Sequence, residues 1–284
     1  MISGAVIVAL LAMLMWGISD ATVKAITNRF DPLTSTIYKF VPHALFLTIF
    51  FLISGIRVPS SPQTWLLICV FGVIGAIALY TFVTAISRGA VSIAVAIAHT
   101  NVIFTTILVA IFLDELLSLF HYLAISCIVA GIFLITVDWR TLRLIRIKGI
   151  GYALATAIGW GIIFAVLKPI TQDIGPVAAA FYTDILVVSL LVLAFLFLRK
   201  RMPKLTRKES FLMVGSGLSS ALAATLTAAS FYLGFVSVSM GIIVAAPVVT
   251  LLLAYLLLKE RIKGLQVAGI FVITAGLVAL SIIG

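Results

Sequence analysis

Apolar residues fill ten long stretches of this chain, near 3 to 24, 33 to 54, 63 to 86, 90 to 113, 118 to 137, 149 to 170, 176 to 198, 210 to 233, 238 to 258 and 264 to 283. A helix needs about 20 mostly apolar residues to cross the hydrocarbon core of a bilayer, so each stretch predicts a membrane-spanning helix. The longest connections, around 138 to 148 and 199 to 209, are of ordinary loop length. They leave no room for a catalytic or nucleotide-binding domain within these residues, and an ATP-driven pump would need a separate partner. No Lys or Arg precedes Lys24, and the apolar run from Ala5 is longer than a signal-peptide core, so the first stretch is expected to be a retained span.

The pattern repeats. An offset of 144 pairs Trp16 with Trp160, Gly17 with Gly161, Ile18 with Ile162, Ala21 with Ala165, Lys24 with Lys168, Thr27 with Thr171, Pro32 with Pro176 and Tyr38 with Tyr182. Further on, an offset of 145 pairs Gly72 with Gly217, Gly89 with Gly234, Ser92 with Ser237, Glu115 with Glu260 and Ala130-Gly131 with Ala275-Gly276. Fixed-period similarity of this kind marks a duplicated unit, here residues 1–140 and 149–284. Five spans per unit is an odd number, so the second unit enters the bilayer from the opposite side to the first. The expected fold is an all-α integral membrane protein, ten transmembrane helices arranged as two inverted five-helix repeats. Inverted repeats build secondary transporters that rock about a central site; duplication also builds channels and scaffolds.

Composition agrees with a bilayer environment, since 63% of the residues are hydrophobic and 10% are charged, against roughly 25% charged in soluble domains. The net charge of +10 would point to nucleic acid in a soluble chain, but these cations sit in short loops rather than on a folded surface. They set orientation instead. Lys24, Arg29, Arg88, Arg140, Arg143, Arg146, Lys148, Arg199, Lys200, Arg201, Lys204, Arg207, Lys208, Lys259, Arg261 and Lys263 follow odd-numbered spans, whereas only Arg57 follows an even-numbered one. The positive-inside rule puts the odd connections in the cytoplasm and both termini outside, in a plasma (inner) membrane. Cys69 and Cys127 lie inside apolar stretches without metal-ligand or CxxC spacing and are expected to pack at lipid depth. No metal or cofactor is expected.

Small residues mark close helix contacts where lipid offers no hydrophobic drive: Gly151, Ala155 and Gly159 on the sixth span, Ala94 and Ala98 on the fourth, and Gly215, Gly217, Ser219, Ser220, Ala223 and Ala224 on the eighth. Pro42 and Pro247 lie within spans, where each removes a backbone hydrogen bond and marks a kink or a hinge.

Ionisable groups at membrane depth are costly and point to function. The candidates are Asp20, Lys39, His43, His99, Lys168 and Asp184, with Asn101, Tyr38, Tyr80 and Tyr182 as polar company. Trp16, Asp20 and Lys24 recur at four-residue steps on one face of the first span, and Lys39 and His43 do so on the second. At about 1.5 Å per residue, Asp20 and Lys39 lie roughly 6 to 9 Å in from the odd-connection side and His99 roughly 13 Å. His43 and Asp184 fall near the midplane. The expected central layer is His43, His99, Asn101 and Asp184, with Asp20, Lys39 and Tyr80 as a vestibule and Trp16 and Trp160 as cavity walls or interfacial residues. Lys24 and Lys168 sit at span ends and are expected to snorkel to the headgroups. Asp20 either pairs with Lys24 or faces the cavity, and His43 and His99 are ligand groups or satisfied core histidines. Asp184 has no charged neighbour in its own turn; it must find a partner on another helix, be protonated or face water, and proton loading favoured by desolvation near the midplane would make it the proton-coupling candidate.

These residues resemble the drug/metabolite transporter superfamily and, within it, the ten-span EamA-like exporters. The resemblance covers almost the whole chain. It rests on Trp16-Gly17 and Trp160-Gly161, on Leu257-Leu258-Lys259-Glu260-Arg261 followed by Gln266, Gly269 and Ala275-Gly276, and on Pro247 with the run from Gly234 to Ser239 before it. The first repeat departs from the pattern: His99-Thr100-Asn101-Val102 stands where the family usually has a proline, and Asp114-Glu115 where it commonly has Gly-Glu. The resemblance implies a carrier working by alternating access, its cavity walled by spans one to four and six to nine and braced by five and ten. Relatives export amino acids and other small metabolites, or carry sugar phosphates and nucleotide sugars.

The function expected is secondary-active export of a small zwitterionic or amphipathic solute such as an amino acid, held between Lys39 and the carboxylates of Asp20 and Asp184. Organic phosphate exchange would require several cavity cations, and a channel is the other alternative. No HExxH or GxSxG motif supports an enzyme. A homo-oligomer is left open. By the loop charges, alkaline phosphatase fused after Gly284 is expected to be active and a fluorescent protein fused there dark; the reverse pattern would overturn the orientation.

Overall fold

The computed structural model describes residues 3–24, 31–88, 91–137, 147–199, 202–258 and 263–283. Twelve helices are present among the described residues: α1 (Gly4–Lys24), α2 (Pro32–Ser54), α3 (Pro62–Arg88), α4 (Val91–Ala98), α5 (Asn101–Phe112), α6 (Leu119–Thr136), α7 (Ile147–Ile174), α8 (Pro176–Phe197), α9 (Arg207–Leu233), α10 (Val236–Ile243), α11 (Ala246–Leu258) and α12 (Gly264–Ile283). They make ten spans, because the fourth is α4 plus α5 and the ninth α10 plus α11. No strand occurs among the described residues. Helix starts follow local chemistry. Asp31 accepts the backbone N–H of Thr34 ahead of α2, and Thr206 and Glu209 form a reciprocal capping box at α9. Gly175, at φ 82°, turns the chain between α7 and α8.

The inverted relation between the repeats is visible in how spans pair. The most extensive contacts join span 1 to 8, 3 to 6 and 5 to 10, followed by 4 to 6, 1 to 9, 2 to 8, 3 to 7 and 2 to 7. Exchanging each span for the one five places away leaves this set unchanged, as a pseudo-twofold axis requires. All of these contacts run between repeats, so the two units interlock and share one core. Large apolar side chains such as Leu45, Ile49, Leu52 and Ile53 on α2 or Ile107 and Ile111 on α5 are exposed at the perimeter, where hydrocarbon would cover them.

Glycines set the closest approaches, and they follow the same symmetry. A Cβ at Gly17 would lie 2.4 Å from Val249, and one at its repeat partner Gly161 would lie 2.5 Å from Phe104. Gly72 meets Leu186 at 2.3 Å, and its counterpart Gly217 meets Pro42 at 2.6 Å. At the α6–α12 seam Gly131 would reach the Gly269 carbonyl at 2.9 Å, and Gly276 the Ala124 carbonyl at the same distance. Gly151 and Gly215, in contrast, have nothing within 4 Å, whereas Gly159, two turns beyond Gly151, would meet Ala78 at 2.8 Å.

The fourth and ninth spans break at equivalent places. Thr100 donates to Ile97 O at 3.0 Å and Ile103 to Thr100 O at 2.9 Å; 145 residues on, Ala245 donates to Ile242 O at 3.1 Å and Val248 to Ala245 O at 2.9 Å. Both breaks are tightened turns of the three-residue type. Pro247 stands at the second position of α11, where a missing N–H costs nothing, so it marks the restart of a helix rather than a kink. Pro42 is accommodated inside a continuous α2. Gly131→Val and Gly276→Val are each expected to lower stability by about 1–3 kcal/mol through overpacking, read as a fall in the thermal unfolding midpoint in detergent, with Gly151→Val nearly neutral.

Candidate functional site

Helices α1, α2, α8 and α9 bring polar side chains together at membrane depth. Gly217 lets α9 press against the backbone of Pro42 and His43, and one turn later Ser220 Oγ lies 2.9 Å from His43 Nδ1. On the other edge of the ring His43 Nε2 lies 3.0 Å from Asp184 Oδ2 on α8. His43 is fully buried, whereas the Asp184 side chain keeps 17% of its surface exposed. The partner that Asp184 requires is therefore His43. One turn back along α2, Lys39 Nζ donates to Asp20 Oδ1 at 3.0 Å and sits 5.6 Å from the Trp16 ring and 5.7 Å from that of Phe40, within cation–π reach. Trp16 Nε1 donates to Thr227 Oγ1 at 3.2 Å, and Ser19 and Ser216 donate to each other's carbonyls at 3.1 and 3.0 Å, locking α1 to α9.

Ser220 Oγ donates to Gly217 O at 3.0 Å, so the hydroxyl is free to accept from Nδ1–H of His43. Nε2 of the same ring faces the Asp184 carboxyl. Lys39 and Asp20 differ in exposure: 10% of the lysine side chain is accessible against 46% of the aspartate. A solute carboxylate that displaced Asp20 would meet a preformed, largely desolvated ammonium.

Other predicted residues fall elsewhere. His99 bonds the Val95 carbonyl at 2.8 Å through Nδ1 and meets Trp160 edge-on, with centroids 6.5 Å apart; Trp160 also packs on Phe82. Asn101 is 4% exposed with its Oδ1 unpartnered. The Tyr38 hydroxyl donates to the Pro203 carbonyl, which directs it to the connection before α9. Tyr182 joins an aromatic cluster with Phe51, Trp65 and Phe181. It stands two residues from Asp184, and successive helical residues are about 100° apart, so the two cannot share a face. Tyr80 is half exposed on the apolar stripe of Val73 and Ile77, not in a vestibule. The side chain of Lys24 lies outside the described residues; Asp20 pairs with Lys39.

Lys168 does not snorkel. Its Nζ donates to Glu115 Oε1 at 2.7 Å and to the Gly234 carbonyl at 3.0 Å. Glu115 is 2% exposed and also accepts from Val236 N at 3.0 Å, Ser237 N at 3.2 Å and Ser237 Oγ at 3.2 Å, so its carboxylate caps α10. The turn that aims it depends on Asp114, at φ 53°, a left-handed conformation that aspartate tolerates and glycine prefers. The departure from Gly-Glu thus keeps the geometry. Sequence reasoning passed over Glu115 as a site residue; the signal was its recurrence as Glu260 alongside Lys24 and Lys168.

Comparison with known proteins adds the following. The model of the EamA-like transporter family matches residues 3–137 and again residues 147–282. No curated protein matches significantly. A crystal structure described only as that of a protein has the same fold, with a TM-score of 0.83 and 17% identity over 100% of both chains. Within the described site, His43→Leu would strand Ser220 and Asp184 and is expected to cost about 1–3 kcal/mol; part of that loss should return in His43→Leu/Asp184→Leu, measured by thermal unfolding.

Proposed function

The chain belongs to the EamA-like transporter family, and from that premise we propose that it is a secondary-active exporter of amino acids or similar zwitterionic or amphipathic solutes. That it is a multi-pass membrane transporter of small molecules follows from the family and its ten membrane-capable helices; the family is not enzymatic. The finer reading rests on one observation, an ion pair and a hydrogen-bonded histidine–carboxyl pair stacked a turn apart in the bundle, Asp20–Lys39 and His43–Asp184. A zwitterion presents the complementary pair of charges: its carboxylate replaces Asp20 at Lys39, and its ammonium is received by the carboxylate of Asp184 or of Asp20. Trp16, whose ring already sits near Lys39, supplies an apolar wall. Proton loading at the His43–Asp184 pair couples export to a proton gradient, in a plasma (inner) membrane with the odd connections in the cytoplasm.

Sugar-phosphate exchange is less well supported, because phosphates demand paired cations and Lys39 is already engaged by Asp20. His99, Asn101 and Trp160 are assigned to a second wall of the same pathway, at the break in the fourth span.

Counterflow in proteoliposomes tests the proposal. Vesicles loaded with unlabelled amino acid are expected to accumulate a labelled trace with saturable kinetics, where sugar phosphates and nucleosides fail. Linear, non-saturating flux would mark a channel. Asp184→Asn is expected to abolish pH-driven flux while sparing counterflow, and retained coupling would overturn its proton role.

A further inference from the structure

The Glu115 contact lies apart from the central site, on the face reached by the connections after even-numbered spans. It draws its members from both repeats: Glu115 from the connection after α5, Lys168 near the end of α7, and Gly234, Val236 and Ser237 where α9 passes into α10. It holds the outer half of a broken span, and every residue of α10 is buried. Ser60 donates to Asp173 at 3.1 Å on the same face, joining the connection after α2 to the last turn of α7. On this face the Glu115 and Lys168 side chains are 2% and 16% accessible, whereas Asp20, on the opposite side of the bundle, keeps nearly half of its side chain accessible.

We infer that the Glu115–Lys168–Ser237 contact is the latch that seals the even-connection face, and that its release, with α10 moving as a unit about the Val244–Ala245 break, opens the pathway there. This rests on the carrier reading above. The physical case is a matter of asymmetry between states. While latched, both charges are neutralised in a dry site, and the carboxylate also satisfies two otherwise orphaned N–H groups at a helix start. Once released, each charge reaches water or headgroups, because both lie at the edge of the bundle. A buried ion pair of this kind adds little net stability but is costly to break on one side only, which suits a contact that must both hold and let go. Its residue types recur in the sequence at Lys24, Gly89, Ser92 and Glu260; the side chains there lie outside the described residues, and the inference stands on Glu115, Lys168 and Ser237.

The test is sided thiol labelling. Cys69 and Cys127 are replaced by alanine, and Ser230, fully buried one turn before Gly234, becomes the reporter as Ser230→Cys. The protein is placed in vesicles in one orientation, and a membrane-impermeant maleimide is supplied from either side. Glu115→Gln and Lys168→Met, each stranding one charge, are expected to raise labelling from the even-connection face by more than about tenfold. Ser237→Ala should raise it less, and Glu115→Gln/Lys168→Met should return toward background, since the carboxamide still accepts from Val236 N. Labelling unchanged from that face in folded protein, or raised equally from both faces, would overturn the latch. If a single charge variant fails to fold, Ser237→Ala and the double variant carry the same comparison. Unchanged labelling beside saturable counterflow would sink the latch alone; absent counterflow would sink the carrier, while labelling still reads whether this pair closes the face.

Discussion

Two helix backbones surrounded by hydrocarbon come together only as closely as the side chains between them allow, and in this protein that distance is set by glycines that occur in pairs. Gly17 and Gly161, Gly72 and Gly217, and Gly131 and Gly276 each occupy the same kind of contact, once per repeat. Close approach across the repeats places Ser220 against His43, Thr227 against Trp16 and Ser216 against Ser19. With a larger residue at Gly217, α9 would stand off from α2 and His43 would lose its hydroxyl partner. The polar chemistry of the centre is thus a consequence of packing.

The bundle also concentrates its charges into pairs of different character. Asp20–Lys39 is half open to solvent, His43–Asp184 is almost closed, and Glu115–Lys168 is buried and tied to four further groups. Exposure separates them: the Asp20 side chain is 46% accessible, that of Asp184 17% and that of Glu115 2%.

Much of this was legible in the order of residues. The ten apolar runs located the spans to within a few residues, and the repeated Trp-Gly and Ala-Gly pairs revealed the inverted halves, because both signals are carried by residue identity alone. Direction around a helix was harder to read. Tyr80 and Tyr182 looked like cavity residues by polarity, yet one faces the perimeter and the other an aromatic cluster, since facing depends on neighbours distant in sequence. Lys168 looked like an interfacial cation because its acceptor stands 53 residues earlier. The break in the fourth span carries no proline or glycine at His99-Thr100, although Pro247, carried back by the repeat offset, falls three residues beyond His99.

The cross-repeat contacts bear on how the protein is made. Chains leave the ribosome at about 5–20 residues per second. Glu115 caps a helix start 121 residues further along, so a newly threaded chain spends roughly 6 to 24 s with that carboxylate in place and its backbone partners not yet synthesised. Through that interval the first five spans also lack their core, whose other half is still unborn. The contacts that complete the first repeat's core are thus timed by translation of the second.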